Sequence, residues 1–155
     1  MIRYGEEKDI GRLLYLLKQV NQLHAEARPD LFIGGGTKYE EAELKDLLKK
    51  EDCLILVHEE EAVDGYLFGF FQKTEQSSSR PEFITLYIDD LCVDEKKRGQ
   101  GIGKALMEEA FAISKRKGAY NVTLHAWEGN EKAILFYKKM GMNPQFVGFE
   151  KILGD

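Results

Sequence analysis

The sequence predicts an α/β fold of the α+β kind, a central mixed, mostly antiparallel sheet flanked by helices, as one domain over residues 1–155. Three observations predict it. Apolar, strand-like runs follow one another in mid-chain, Cys53 to Val57, Tyr66 to Phe71 and Phe83 to Val93, and successive strands imply antiparallel hairpins. From Val93 the chain passes through a helical segment to another strand-like run around Val122, a β-α-β step that implies a parallel crossover. Ahead of the strands, Ile10, Leu13, Leu14, Leu17, Val20 and Leu23 recur at helical period between Glu6 and His24.

Ile2 to Tyr4 can form a short first strand. The first helix has acidic residues in its opening turn, which suits the helix dipole. Arg28-Pro29-Asp30 should end it, because proline disfavours helix at the residue before it. Gly34-Gly35-Gly36 is a hinge or lid candidate, with a plain linker as the alternative. Thr37 and Glu40 have capping-box spacing and should open a second helix with Leu44, Leu47 and Leu48 on one face. Asp64-Gly65 lies in the connection before Tyr66 to Phe71, and residues 76–81 form a polar loop. Phe83 to Val93 then runs into a glycine-rich turn. Ile102, Ala105, Leu106, Ala110 and Ile113 make the apolar face of the next helix, with Gly118 beyond it as a cap. Tyr120 to Trp127 reads as a strand. Asn130 to Met140 reads as a helix with Asn130 as N-cap and Gly141 as C-terminal cap. Phe146 to Leu153 should supply a last strand.

Bulk properties exclude several function classes. Hydrophobic content is 43%, charged content 32% and net charge -5, so binding of nucleic acid through bulk charge is not expected. No apolar run approaches the ~20 residues that span a bilayer, and the first residues lack a signal peptide's apolar region. Cys53 and Cys92 read as buried small hydrophobes in a reducing compartment, and His24, His58 and His125 are scattered, so no metal is expected. These features suggest a cytoplasmic protein with neither nucleic acid nor membrane as partner.

The turn Arg98-Gly99-Gln100-Gly101-Ile102-Gly103-Lys104 organises the chain. The first amides of a helix lack intrahelical partners and carry partial positive charge. Glycines let a phosphate approach the backbone closely. Lys96 and Lys97 add charge nearby, so the turn reads as a phosphate cradle, against the plainer reading of a tight strand-to-helix turn. A P-loop is ruled out because Ala105 stands where Ser or Thr is needed. The dinucleotide fingerprint fails because its third glycine would be Lys104 or Leu106. What remains, Arg-x-x-Gly-x-Gly after a strand, resembles the acyl-CoA signature of the GNAT superfamily of N-acetyltransferases.

A second stretch, Asn130-x-x-Ala133-x-x-Phe136-Tyr137-x-x-x-Gly141-Met142, resembles the same family's Asn-x-x-Ala-x-x-Phe-Tyr-x-x-x-Gly-Phe pattern, departing from it at Met142. Within the family, Tyr87-Ile88-Asp89-Asp90-Leu91-Cys92-Val93 is most similar to the diamine (spermidine/spermine) acetyltransferases. The resemblance implies the GNAT acyl-CoA N-acyltransferase fold, its sheet splayed at the cofactor site, and acetyl-CoA as co-substrate without a metal. It implies that backbone groups of Leu91, Cys92 and Val93 pair with the pantetheine arm. The turn, Arg98, Gly99, Gln100, Gly101, Ile102, Gly103 and Lys104, would hold the pyrophosphate, and Asn130, Ala133 and Lys139 would contact the cofactor. Direct attack on the thioester is the family's usual route, so Cys92 is given no nucleophilic part. Family members are often dimers, which makes a homodimer an expectation.

Acetyl transfer to an amine needs the amine unprotonated, yet a free alkyl amine has a pKa of about 10.4. A carboxylate can take that proton. Asp89 is the first candidate, with Asp90, Glu82 and Glu128 as alternatives and a solvated carboxylate as the plain reading of each. Tyr137 occupies the family's general-acid position, against a plain packing role beside Phe136. Asp89, Asp90 and Glu128 would favour a small cationic amine, and His24, Glu26, Asp30, Phe32 and Tyr39 lie in the segment that usually lines the acceptor site. A polyamine, an aminoglycoside-like amine or a protein amino group all fit. A protein or peptide acetyltransferase, and an acyl-CoA sensor without catalysis, are the rival functions.

Overall fold

The computed structural model describes residues 1–154. The chain divides into two compact units, Met1–His125 and Ala126–Asp155. The first holds β1 (Ile2–Tyr4), α1 (Ile10–Ala27), α2 (Glu41–Lys49), β2 (Cys53–Glu59), β3 (Val63–Thr74), β4 (Phe83–Val93), α3 (Ile102–Arg116) and β5 (Asn121–Leu124). The second holds α4 (Glu131–Lys139). No helix of the described residues is long and apolar enough to cross a membrane.

The five strands lie in chain order in one sheet. β1 to β4 pair antiparallel, and β5 pairs parallel to β4 through the α3 crossover, as the sequence predicts. Alternate side chains of a strand point to opposite faces. Ile55, Val57, Tyr66, Phe68 and Cys92 share a core with Ile10, Leu13, Leu16 and Leu17 of α1 and Leu44 of α2. α3 covers the opposite face, where a Cβ on Gly65 would stand 2.8 Å from Ile102 Cγ2 and 3.3 Å from Leu106 Cδ1. Glycine is therefore the residue that lets the first turn of α3 lie against β3. Gly65→Ala is expected to destabilise the chain by about 1–3 kcal/mol through overpacking, read as a fall in melting temperature. An unchanged melting temperature would mean that α3 shifts freely on the sheet.

Arg3 locks the start of the chain to α1. Its guanidinium donates to both carboxylate oxygens of Asp9, at 2.8 and 2.9 Å, and to Glu59 at 2.9 Å. Burial alone would raise the Asp9 pKa, but the bonds from Arg3 and the Glu6 amide outweigh it and hold the carboxyl below its ordinary range.

Several boundaries differ from the sequence reading. Asp64 and Gly65, expected in the connection before Tyr66, lie inside β3, because the ladders on both sides continue through Gly65, which pairs with His58 and Val93. The second helix opens at Glu40, not Thr37: the Glu40 amide donates to Glu43 Oε1 at 3.2 Å in a capping box. Thr37 instead donates its hydroxyl to the Tyr39 carbonyl, 2.8 Å away. The strand expected from Tyr120 to Trp127 is limited to Asn121–Leu124, because strand length is set by the partner's ladder and β4 pairs with it only from Thr85 to Ile88. The last strand expected over 146–153 is absent among the described residues. Apolar alternation makes a segment eligible for a sheet, but a strand exists only with an edge to pair with.

Candidate active site

The glycine turn has the geometry of an anion cradle. After β4, a single 3-10 turn (Glu95–Lys97) leads to Gly99 at φ 79° and Gly101 at φ 80°, and Gly101 caps α3. Both conformations are left-handed, which side chains bearing a Cβ rarely adopt. A Cβ at either position would meet nothing within 4 Å, so space in front of the turn is open. The first backbone bond into the helix runs from the Ala105 amide to the Gly101 carbonyl, 3.0 Å, and the preceding amides lie at the positive end of the dipole. Arg98 folds its Nε back to the Val93 carbonyl at 3.3 Å, and Lys104 pairs with Glu108 at 3.8 Å. The donor set, backbone amides with cations around them, suits the pyrophosphate of an acyl-CoA.

Asp94, which the sequence reading passed over, anchors this turn. Its side chain accepts from the Lys96 amide at 3.2 Å, from Arg12 at 3.1 Å and from Gln19 at 3.4 Å. Gln19 in turn accepts from the Glu95 amide. Burial would raise the Asp94 pKa, yet these donors lower it. Arg12 and Gln19 belong to α1, so the entrance of the cradle is tied to that helix. An Asp directly after a strand and before a turn was the available signal.

A β-bulge organises the opposite end. Phe68 pairs with Asp90 but Gly69 pairs with Ile88, which leaves Asp89 as an extra residue in β4. A bulge of this kind breaks the alternation of faces and bends the strand. Consecutive carboxylates then reach hydroxyls on one face: Asp89 Oδ2 accepts from Tyr39 at 2.6 Å, and Asp90 Oδ2 accepts from Tyr66 at 2.8 Å. The β4–β5 ladder also ends at Ile88↔Leu124, while β4 stays paired with β3 as far as Val93↔Gly65. The sheet therefore splays from Asp89 onward, and the run Leu91, Cys92, Val93 leads from the bulge to the cradle. Lys38 Nζ lies 2.8 Å from Asp89 Oδ2, a pairing the sequence reading did not foresee.

Burial pushes the Asp90 carboxyl above its ordinary range, against the hydrogen bond from Tyr66. Its protonated form therefore favours the fold fully below the ordinary carboxyl pKa, and that contribution is lost as pH rises through the folded value. Asp90→Asn keeps an acceptor for Tyr66 and removes the titration. It should raise the melting temperature at neutral pH and give no advantage near pH 3.9 or below, where the wild-type group is neutral in the unfolded chain too. Equal shifts at both pH values would show that Asp90 charge is not the cause.

Cys92 is 4% exposed, its Sγ directed at the Leu16 carbonyl, and burial pushes its thiol up to about 12. A thiolate is the nucleophilic form, so this geometry agrees with a packing role. Of the other residues singled out, Glu82 pairs with Lys73 at 2.6 Å beside the far end of β4, Asp30 pairs with Arg28 at 2.8 Å, Glu26 accepts from Gln22 at 3.3 Å, and His24 stacks on Phe32 at 4.9 Å.

The second unit carries the other motif. Asn130 caps α4, its Oδ1 accepting from the Ala133 amide at 3.2 Å, and Gly141 follows the helix at φ 88°. Tyr137 meets Phe136 edge-on, with ring centroids 5.3 Å apart. Lys139 is the last residue of the helix, and Glu128 is exposed in the loop before it.

Known proteins are similar to this chain in sequence and fold. The model of the acetyltransferase (GNAT) family matches residues 17–142. Glucosamine 6-phosphate N-acetyltransferase of Trypanosoma brucei brucei is 44% identical over 55 residues, 36% of this chain. The chain spans only 35% of the length of that relative. Thialysine N-epsilon-acetyltransferase of Bos taurus is 26% identical over 91% of this chain and 82% of its own. A crystal structure of a mutant BH1408 protein from Bacillus halodurans superposes with a TM-score of 0.94 at 27% identity, over 99% of both chains. A strand that splays at a bulge, a glycine cradle at the next helix and the family pattern over most of the chain agree: this chain belongs to the GNAT family of acetyltransferases.

Proposed function

We propose that this chain is a single-domain N-acetyltransferase that moves the acetyl group of acetyl-CoA to a primary amine by direct attack in a ternary complex. The observation that carries it is the cradle at Gly99–Gly103 joined, along Leu91 to Val93, to the splay at Asp89. The cradle holds the pyrophosphate of acetyl-CoA, and the unpaired edge of β4 beyond Ile88 offers main-chain groups to its arm. Asn130, Ala133 and Lys139 make further contacts with the co-substrate.

Asp89 takes the proton from the acceptor amine, and Tyr137 donates one to the departing thiolate. As the amine nitrogen bonds to the acetyl carbon, the carbon–sulfur bond breaks and its electron pair leaves on sulfur. The acceptor is a small cationic amine, which Asp89, Asp90 and Glu128 attract. The bovine relative, named for an amine at the end of a flexible side chain, supports this class. A second copy of the chain is a proposed partner, since Val147, Phe149, Ile152 and Leu153 are exposed.

The testing experiment measures CoA release with a thiol reagent across polyamines, aminoglycosides, amino acids and short peptides. Turnover with polyamines is the expected result. Turnover with peptides alone would move the acceptor to protein amines. Intact acetyl-CoA binding without turnover would make the chain an acyl-CoA sensor.

A further inference from the structure

We propose that Lys38 is itself an acceptor, and that the chain acetylates its own Lys38 Nζ. The inference rests on the transferase reading above. Lys38 Nζ lies 2.8 Å from Asp89 Oδ2 and 3.4 Å from the Asp89 carbonyl. Asp89 is the bulge residue at which β4 parts from β5. Asp89 to Val93 covers roughly 13 Å at the rise of a strand, a length that the two-amide arm of an acyl-CoA spans. An arm running from the cradle along β4 thus brings its thioester to the Lys38 amine.

Lys38 is not a surface lysine that happens to lie nearby. The residues on either side of it are fixed: Thr37 bonds to the Tyr39 carbonyl, the Tyr39 ring packs 5.7 Å from that of Phe68, and its hydroxyl holds Asp89. Lys45, Lys73 and Lys104 pair with glutamates whose side chains are at least half exposed, whereas the side chain of Asp89 is 16% exposed. A flexible ammonium is held beside a mostly covered carboxylate at the splay of the sheet. That is the arrangement an acceptor amine needs.

In the step, Asp89 takes a proton from the Lys38 ammonium, and the freed amine attacks the thioester carbonyl of acetyl-CoA. The nitrogen–carbon bond forms and the carbon–sulfur bond breaks. The electron pair leaves on sulfur as a thiolate, which takes a proton from water, and Asp89 releases the proton it took back to water. The products are CoA and a neutral amide at Lys38. The amide can no longer pair with Asp89 as an ion.

The test incubates the full chain with acetyl-CoA and no added amine, then maps acetylated lysines by mass spectrometry over time. Chemical acetylation should favour exposed lysines, and the side chain of Lys8, away from the cradle, is 64% exposed against 48% for Lys38. Lys38 should nevertheless acquire its acetyl group on the order of tenfold faster than Lys8, or more, because the reactants are held together. The rate per molecule should not change on dilution. Lys38→Arg should remove the fast phase, and Gly101→Glu should reduce Lys38 to the rate of the exposed lysines. Labelling of Lys38 no faster than Lys8, or a rate that falls on dilution, would overturn the proposal. Acetyl-CoA binding with turnover of an external amine, but no label on Lys38, would overturn it and leave the transferase reading standing. Failure to bind acetyl-CoA would overturn both.

Discussion

Gly101→Glu is expected to abolish acetyl-CoA binding in a chain that still folds. Gly101 has φ 80°, and the left-handed conformation costs a residue with a Cβ about 1–2 kcal/mol. Apart from its chain neighbours, no heavy atom lies within 4 Å of where that Cβ would stand, so the Cβ itself meets no obstacle. The carboxylate would project from the N-cap of α3, where the proposed pyrophosphate would sit. Like charges brought together cost several kcal/mol, which corresponds to a loss of affinity on the order of 10³-fold. Titration calorimetry with acetyl-CoA measures this, and thermal denaturation shows whether the fold persists. Gly101→Asn separates charge from backbone, since asparagine tolerates the left-handed region. It should weaken binding far less than glutamate does. Equal losses in the two variants would locate the effect in the backbone, and unchanged affinity in Gly101→Glu would remove the cradle assignment.

Tyr137→Phe should lower kcat by about 10²–10⁴-fold, the range expected when a positioned general acid is lost, with little change in acetyl-CoA affinity. The variant keeps the ring and so keeps packing against Phe136, whose centroid is 5.3 Å away. What is lost is the phenolic hydroxyl. A leaving alkyl thiolate has a conjugate pKa near 8.5, so it gains from protonation as it departs. An acetyl thioester of a more acidic thiol needs that help less, and the gap between variant and wild type should narrow with it. A constant gap, or equal losses in kcat and affinity, would assign Tyr137 to packing.

The elements most legible in the sequence were those governed by local rules. Gly101, Gly118 and Gly141 all adopt positive φ at helix ends, and Asn130 caps α4 through its own side chain. The limits of β4 agree with the apolar run from Phe83 to Val93. The glycine turn was legible for the same reason: strand, left-handed turn and helix start are written in consecutive residues. Thr37 shows the limit of local rules, because Glu40 and Glu43 supply an equally good box three residues later.

The sequence by itself determined the order of elements, the antiparallel hairpins, the parallel crossover and the position of the glycine turn before α3, since period, caps and glycines act over a few residues. Tertiary structure alone decided the bulge at Asp89, the four-residue length of β5, and the meeting of Asp89 with Tyr39 and Lys38 and of Asp90 with Tyr66. These depend on ladder register and on packing between segments some 20 to 50 residues apart. A one-residue slip in register changes which face every side chain occupies, and no local pattern records it. The strand expected over 146–153 failed to form for the same reason: its side chains suit a sheet, but pairing needs an edge that its own residues cannot supply.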